Sequence, residues 1–178
     1  MDKFIHDREN GLAKFIKLRL SNLWIVYEDE TPVAFFALSK DALTLNSEDR
    51  RNIERDKEKS AVIAAPEDAD KFWDKEKYPA IEIDYFAVCE ERRRLSDDHL
   101  GTYLINVIAQ RAVRDIFSAT MFLTVEALDT VEYSAVKFYR NCDFEFSEVA
   151  QNKYSYDVMY GNRPTTRRMY KLIIPIDE

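Results

Sequence analysis

Hydrophobic positions change their period several times along the 178 residues, and each change marks an element. The opening segment, FIHDRENGLAKFIKLRLSNL, sets Phe4, Ile5, Leu12, Phe15, Ile16 and Leu20 at the spacing of one helical face. Two apolar runs follow in LWIVYEDETPVAFFALS, and the polar break Asp29-Glu30-Thr31-Pro32 between them predicts a hairpin. Residues 46–60, NSEDRRNIERDKEKS, are strongly charged and read as an exposed helix or a solvated loop. YPAIEIDYFAV, Tyr78 to Val88, alternates and then ends apolar, as a central strand does. After it, HLGTYLINVIAQRAVRDIF places Leu100, Tyr103, Leu104, Val107, Ile108 and Ala112 on one helical face. TMFLTVEAL predicts the next buried strand. TVEYSAVKFYRNCDF predicts a second amphipathic helix, with Val131, Ala135, Phe138 and Tyr139 on a common side. FEFSEV and RRMYKLIIPI read as two closing strands. This order is that of an α/β domain whose strongest strand–turn–helix unit lies in the middle.

Composition narrows the class. With 46% hydrophobic and 33% charged residues, the chain suits a single domain over residues 1–178 with a sizeable core. Its three glycines, Gly11, Gly101 and Gly161, leave no flexible linker, and no repeat or low-complexity tract occurs. No run of 18 apolar residues is present, so no membrane-spanning helix is expected, and the N-terminus is charged too early for a secretory signal. Cys89 and Cys142 have neither CxxC spacing nor a disulfide framework, which makes a reducing, cytoplasmic compartment the expectation. Two scattered histidines and two cysteines predict no metal site. The net charge of −7, from 26 Lys+Arg against 33 Asp+Glu, opposes a nucleic-acid partner. A local patch from Arg50, Arg51, Arg92, Arg93, Arg94, Arg163, Arg167 and Arg168 keeps a nucleic-acid partner open all the same.

The central unit carries the chemistry. In RRRLSDDHLGTYLI a turn feeds a helix N-terminus, whose outward N–H groups and dipole form an anion site. Gly101 would admit a ligand close to the backbone, Thr102 adds a hydroxyl, and Arg92, Arg93 and Arg94 could offset a diphosphate. Ser96, Asp97 and Asp98 are equally good helix-capping residues, so the stretch reads either as a cofactor loop or as a cap.

Taken together, YPAIEIDYFAV, SDDHLGTYLI and LTVEAL…SAVKFYRNCDF resemble the GNAT superfamily of acetyl-CoA-dependent N-acetyltransferases. The three look like that family's central strand, its Q/R-x-x-G-x-G/A pyrophosphate loop, and its following strand with the A-x-x-F-Y-x-x-x-G-F signature. The early hairpin and RRMYKLI are similar to the family's first hairpin and closing strand. The resemblance covers most of residues 12–174. It implies a GNAT-like mixed, mostly antiparallel central sheet of six to seven strands with helices on both faces. It implies acetyl-CoA as co-substrate and an amine as acceptor, with no membrane and with a homodimer left open.

Residue by residue, the resemblance implies that the main chain of Phe86, Ala87 and Val88 meets the pantetheine arm. It assigns Arg94, Ser96, His99, Leu100, Gly101 and Thr102 to the pyrophosphate loop, Ser96 replacing the family's Q/R and His99 its first glycine. Cys142-Asp143 replaces the usual pair ending in glycine before Phe144. Tyr139 stands at the family's general-acid position, and a phenol of pKa near ~10 suits protonation of a thiolate. Glu82 and Asp84, on the strand face opposite Ile81, Ile83 and Tyr85, are the candidates for general base. Two other readings stand beside amine acetylation. The layout is also similar to toxin acetyltransferases that act on aminoacyl-tRNA, and the altered glycine loop would suit a non-catalytic binding protein.

Overall fold

A computed structural model describes residues 12–56, 73–94, 99–114 and 119–173. In chain order these form α1 (Leu12–Lys17), β1 (Asn22–Glu28), β2 (Thr31–Leu43), α2 (Ser47–Arg55), β3 (Tyr78–Val88) and α3 (Glu90–Arg94). Then come α4 (Leu100–Arg114), β4 (Phe122–Leu128), α5 (Val136–Asn141), β5 (Glu145–Phe146), α6 (Glu148–Met159) and β6 (Thr166–Leu172). The strands make one six-stranded sheet in the order β1-β2-β3-β4-β6-β5. Every neighbouring pair is antiparallel except β3 and β4. Those two are joined by α4, the crossover that a parallel pair requires.

The hairpin turn is the two residues Asp29 and Glu30, both at positive φ (51° and 77°). That twist matches the right-handed twist of the strands it joins. One face of the sheet packs on α4 and α5 through Ile83, Leu123, Val125 and Met169 against Ile105, Ile108, Tyr139 and Phe144. On the other face Phe35 and Ala37 meet Ile16 of α1, and Leu43, Tyr78, Phe122, Tyr170 and Leu172 enclose Ile53 of α2. Helices thus cover both faces, as the sequence resemblance implies.

Two irregularities shape the centre. The β3–β4 ladder covers only Ala80↔Phe122 to Ile83↔Val125. Beyond it β3 continues to Val88 against β2, and β4 continues to Leu128 against β6. The sheet therefore parts between its two central strands. Next to that point the β2–β3 register passes from Leu38↔Ile83 to Ala37↔Tyr85, leaving Asp84 as an extra residue, a β-bulge. The bulge breaks strict alternation. Phe86 joins Ile83 on the α4 side, while Tyr85 and Ala87 pack with Phe35 and Ala37 on the other.

Several elements differ from the sequence expectation. The charged run at 46–60 is a helix over 47–55, but not a wholly solvated one: Ile53 and Asp49 are fully buried. Asn46 and Asp49 form a reciprocal capping box, and Asp49 also accepts the backbone N–H of Glu148 at 2.9 Å. One carboxylate so serves two helix N-termini. The buried face of α4 is Leu104, Ile105, Ile108, Ala109 and Ala112, whereas Tyr103 is exposed. The helix expected from Thr130 begins only at Val136, and Val131 stands 88% exposed in the preceding turn. FEFSEV is a strand only at Glu145–Phe146, and α6, which no periodicity announces, follows at once. None of its residues is buried. It is held by Arg167, whose guanidinium lies 4.0 Å over the Tyr154 ring and 4.4 Å over that of Phe146 and donates to the Gln151 side chain.

Candidate active site

A cleft of about 450 Å³ opens where β3 and β4 part. The end of β3 supplies Phe86, Ala87 and Val88, and the start of α4 supplies His99, Leu100, Gly101 and Thr102. The β4–α5 turn and α5 supply Tyr133, Ala135, Phe138 and Tyr139, and α3 brings Arg92 and Arg93 to the rim. Eight of the twelve residues singled out from the sequence line this one cavity, Tyr139 from the far wall. Past Ile83 the edge of β3 that faced β4 has no strand partner among the described residues, so its main chain can pair with an extended, amide-containing ligand.

The helix N-terminus is placed as an anion site requires. Tyr103 N–H donates to His99 O at 2.8 Å, which makes His99 the N-cap residue of α4. Arg92 reaches the rim while paired to Glu28. Arg93 is exposed there and carries positive charge to the same end. Ser96, Asp97 and Asp98 lie outside the described residues, as does the side chain of Arg94, so the choice between loop and cap falls on residues beyond those described.

Gly101 has a reason beyond ligand access. A Cβ on it would lie 3.1 Å from Cε2 and 3.3 Å from Cζ of Phe138. The Phe138 ring in turn stacks on Phe86, with centroids 5.7 Å apart and planes at 19°. The missing side chain lets this aromatic pair seat against the helix start and tie α5 to the end of β3. The Thr102 hydroxyl faces the Cys142 thiol at 3.8 Å, a second link between α4 and α5.

Tyr139 is 6% exposed and its ring is wedged edge-on between Phe138 and Phe144. Burial drives its pKa far above that of a free phenol, with smaller contributions from Cys142 and Tyr133. The group therefore stays protonated at any physiological pH, as a proton donor in the cleft wall must. The turn after α5 explains the departure from the family's glycine. Asp143 sits at φ 64° while Phe144 N–H closes back on Tyr139 O at 3.0 Å. The αL conformation that glycine adopts without cost is here held by an aspartate, with Lys171 donating to Cys142 O at 3.0 Å beside it.

Glu82 and Asp84 do share a face, and it is the face opposite α4 and α5. Asp84, at the bulge, is committed on both oxygens: Ser39 Oγ donates to Oδ1 at 2.8 Å and Ser21 Oγ donates to Oδ2. It anchors the α1–β1 connection to the strand. Glu82 lies level with the last residues of the β3–β4 ladder and receives an N–H from Arg168 at 2.7 Å. Burial raises its pKa, Arg168 lowers it, and Asp41 and Asp84 raise it. Sequence reading did not assign Asp41, Glu126, Tyr133 or Phe138 to a site, and it placed Arg168 only in a possible basic patch. Each is polar or aromatic at an ordinary strand, helix or loop position, and only strand register and the placement of α5 and the turn before it bring these side chains to the centre.

No protein-family model matches the chain, and no curated protein sequence matches it. Solved structures do match its shape. A tyrosine-to-phenylalanine mutant of KacT superposes with a TM-score of 0.54 at 12% identity, over 97% of this chain and 83% of that one. A structure described as a bacterial toxin gives 0.52 at 12% identity, over 97% and 76%. A mutant of the toxin AtaT, bound to the C-terminus of the antitoxin AtaR and acetyl-CoA, gives 0.50 at 9% identity, over 97% and 81%. At these identities the likeness is one of fold. The chain has a GNAT-type fold.

Proposed function

We propose that the chain is an acetyl-CoA-dependent N-acetyltransferase, with the parting of β3 and β4 as the place where thioester and amine meet. One observation carries this reading. Tyr139, a buried and protonated phenol, stands in the cleft wall on the α4 side, and the Glu82 carboxylate lies on the opposite face of the sheet, one ladder pair before the two strands part. The pantetheine arm lies along Phe86, Ala87 and Val88, and its pyrophosphate lies at the start of α4 near Leu100, Gly101 and Thr102, with Arg92 and Arg93 at the rim. AtaT, one of the folds it resembles, was solved with acetyl-CoA. Among the described residues no group of His, Cys, Asp and Glu could hold a metal ion, and the reaction calls for none.

The chemistry is direct transfer. An alkylammonium first releases one proton to solvent, giving the neutral amine. Its nitrogen then attacks the thioester carbon while Glu82 takes the second proton. The C–S bond breaks, and the leaving sulfur takes the proton of Tyr139. Water resets the pair by carrying the proton from Glu82 to the phenolate. Holding both partners in one cleft supplies much of the rate.

The acceptor is an amine approaching from the face that bears Glu82. A second acceptor reading is favoured by the likeness to toxin structures: the amine of an aminoacyl-tRNA, bound through arginines at the cleft rim such as Arg93. Calorimetric titration with acetyl-CoA tests the core of the proposal, with a Kd in the range of about 1 µM to 1 mM expected. Radiolabelled acetyl-CoA offered to polyamines, lysine peptides and charged tRNA then finds the acceptor. Binding without transfer to any of them would reassign the chain to a binding protein. Absence of binding at millimolar acetyl-CoA would remove the proposal.

A further inference from the structure

Arg168 lies at the centre of a network that spans four strands. From β6 it donates through one Nη to Asp41 of β2 and through the other to Glu82 of β3, and Glu126 of β4 lies 3.6 Å from the guanidinium. Thr124 Oγ1 donates to the same Asp41 oxygen at 2.5 Å, and Thr166 Oγ1 donates to Glu126 at 3.1 Å. The arginine side chain is 16% exposed, Asp41 18% and Glu82 23%. The crossing is made over Thr124, the β4 residue that pairs with Glu82 just before the two central strands part. A purely structural tie would need one carboxylate, and here one cation faces three.

We infer that Arg168 is a positioning residue for the proton acceptor of the reaction, its planar fork fixing the Glu82 carboxylate at the apex of the opening with Asp41 as the opposing anchor. The inference rests on the acetyl-transfer reading for its chemical meaning, but its physical content stands on this network alone. A guanidinium can hold two carboxylates at fixed angles, which an ammonium cannot do. The groups facing Glu82 are Asp41 from β2, Asp84 from its own strand and Arg168 from β6, with Glu126 of β4 reaching it through Arg168. Three of these four are acids. Without the cation, desolvation and the neighbouring carboxylates all favour proton uptake by Glu82, and a protonated carboxyl accepts nothing from an amine. With the cation, the charged form of Glu82 is favoured against those effects and the carboxylate is aimed. Asp41 then acts in the opposite sense to Arg168, and this gives the inference a signature of sign.

The test is a carboxyl titration followed by 13C NMR in protein labelled at glutamate, the Glu82 signal being identified by its loss in Glu82→Gln. Arg168→Met should move the Glu82 midpoint to higher pH, and Asp41→Asn should move it to lower pH. Arg168→Lys should return the midpoint toward wild type while leaving the signal broadened by loss of the fixed geometry. Acetyl-CoA affinity, measured by calorimetry, should change by less than about threefold in all three variants, because the cleft lies on the other face. An unmoved midpoint in Arg168→Met, or movement of the two neutralised variants in the same direction, would overturn the inference. So would a loss of acetyl-CoA affinity well beyond threefold, which would mark Arg168 as a support of the sheet itself. Should Arg168→Met not fold, Asp41→Asn and Arg168→Lys still decide the sign. A wild-type protein that binds no acetyl-CoA would remove the functional reading, while the titration would judge Arg168 independently.

Discussion

At the scale of single residues, the two most informative positions, Tyr139 and Asp143, lie four apart in sequence. Tyr139 is a buried aromatic that the core would accept equally well as phenylalanine, so removing its hydroxyl separates chemistry from packing. Tyr139→Phe should melt within a few degrees of wild type yet transfer acetyl groups about 10²–10⁴ times more slowly, as measured by thiol release from acetyl-CoA. Unchanged turnover would return Tyr139 to the core. Phe144 follows Asp143, which holds a left-handed backbone at φ 64°. Only glycine adopts that conformation freely. Asp143→Gly relieves the strain and gives up a surface contact of 3.4 Å from Lys171, which is worth little in water. The net expectation is a gain of about 0.5–1 kcal/mol in urea unfolding, and a loss would show that Lys171 matters more than the backbone does.

Among the elements, α4 and α5 owe their mutual placement to an absence. Gly101 leaves room for Phe138, and Phe138 stacks on Phe86 at the end of β3. Gly101→Ala sets two effects against each other. Alanine favours the helix by about 1 kcal/mol, while the methyl meets a ring at 3.1 Å, and overpacking of this kind costs about 1–3 kcal/mol. Stability should therefore stay level or fall by up to about 2 kcal/mol. The displaced ring must yield into the cleft, so acetyl-CoA should bind about tenfold more weakly. Calorimetry on the variant checks this, and affinity equal to wild type would show that Phe138 gives way in another direction. The hairpin shows how far local signals carry: an Asp-Glu pair takes the doubly positive φ that Asn-Gly would prefer. The strands on either side impose the turn, not its own residues.

For the molecule as a whole, pH is the revealing variable. Asp49, Glu82 and Glu148 all have pKa values raised, in each case by burial first. A carboxyl raised on folding contributes stability that is complete below its ordinary value, 3.8 for Asp49 and 4.5 for the two glutamates. That contribution is lost as pH rises through the higher folded value. The net charge of −7 adds self-repulsion in the same direction. The unfolding free energy in urea should accordingly be larger near pH ~5.5 than near pH ~8. Equal values at the two, or a maximum on the alkaline side, would mean that the ion pairs around Arg168 and Arg167 outweigh the three carboxyls whose pKa is raised.

The sequence alone determined what repeats locally. The period of two in YPAIEIDYFAV, the helical spacing in HLGTYLINVIAQRAVR and the polar break in the hairpin were sufficient for the order of elements in the middle of the chain. The residues that later line the cleft came from the family resemblance, whose motifs sit at a strand end and a helix start. Elements without a period were not legible. α6 carries tyrosines and charges all round and is held by one arginine stacked on two rings, a contact that spacing cannot reveal. The tertiary structure alone decided the rest. A bulge at Asp84 turned Tyr85 away from Ile83 and bound Asp84 to two serines, one of them 63 residues away in sequence. Register across four strands brought Asp41, Glu82, Glu126 and Arg168 together although they are spread over 127 residues. Local propensity fixes what each segment forms, but the pairing of strands fixes which side chains meet, and at this site the meeting of side chains is the chemistry.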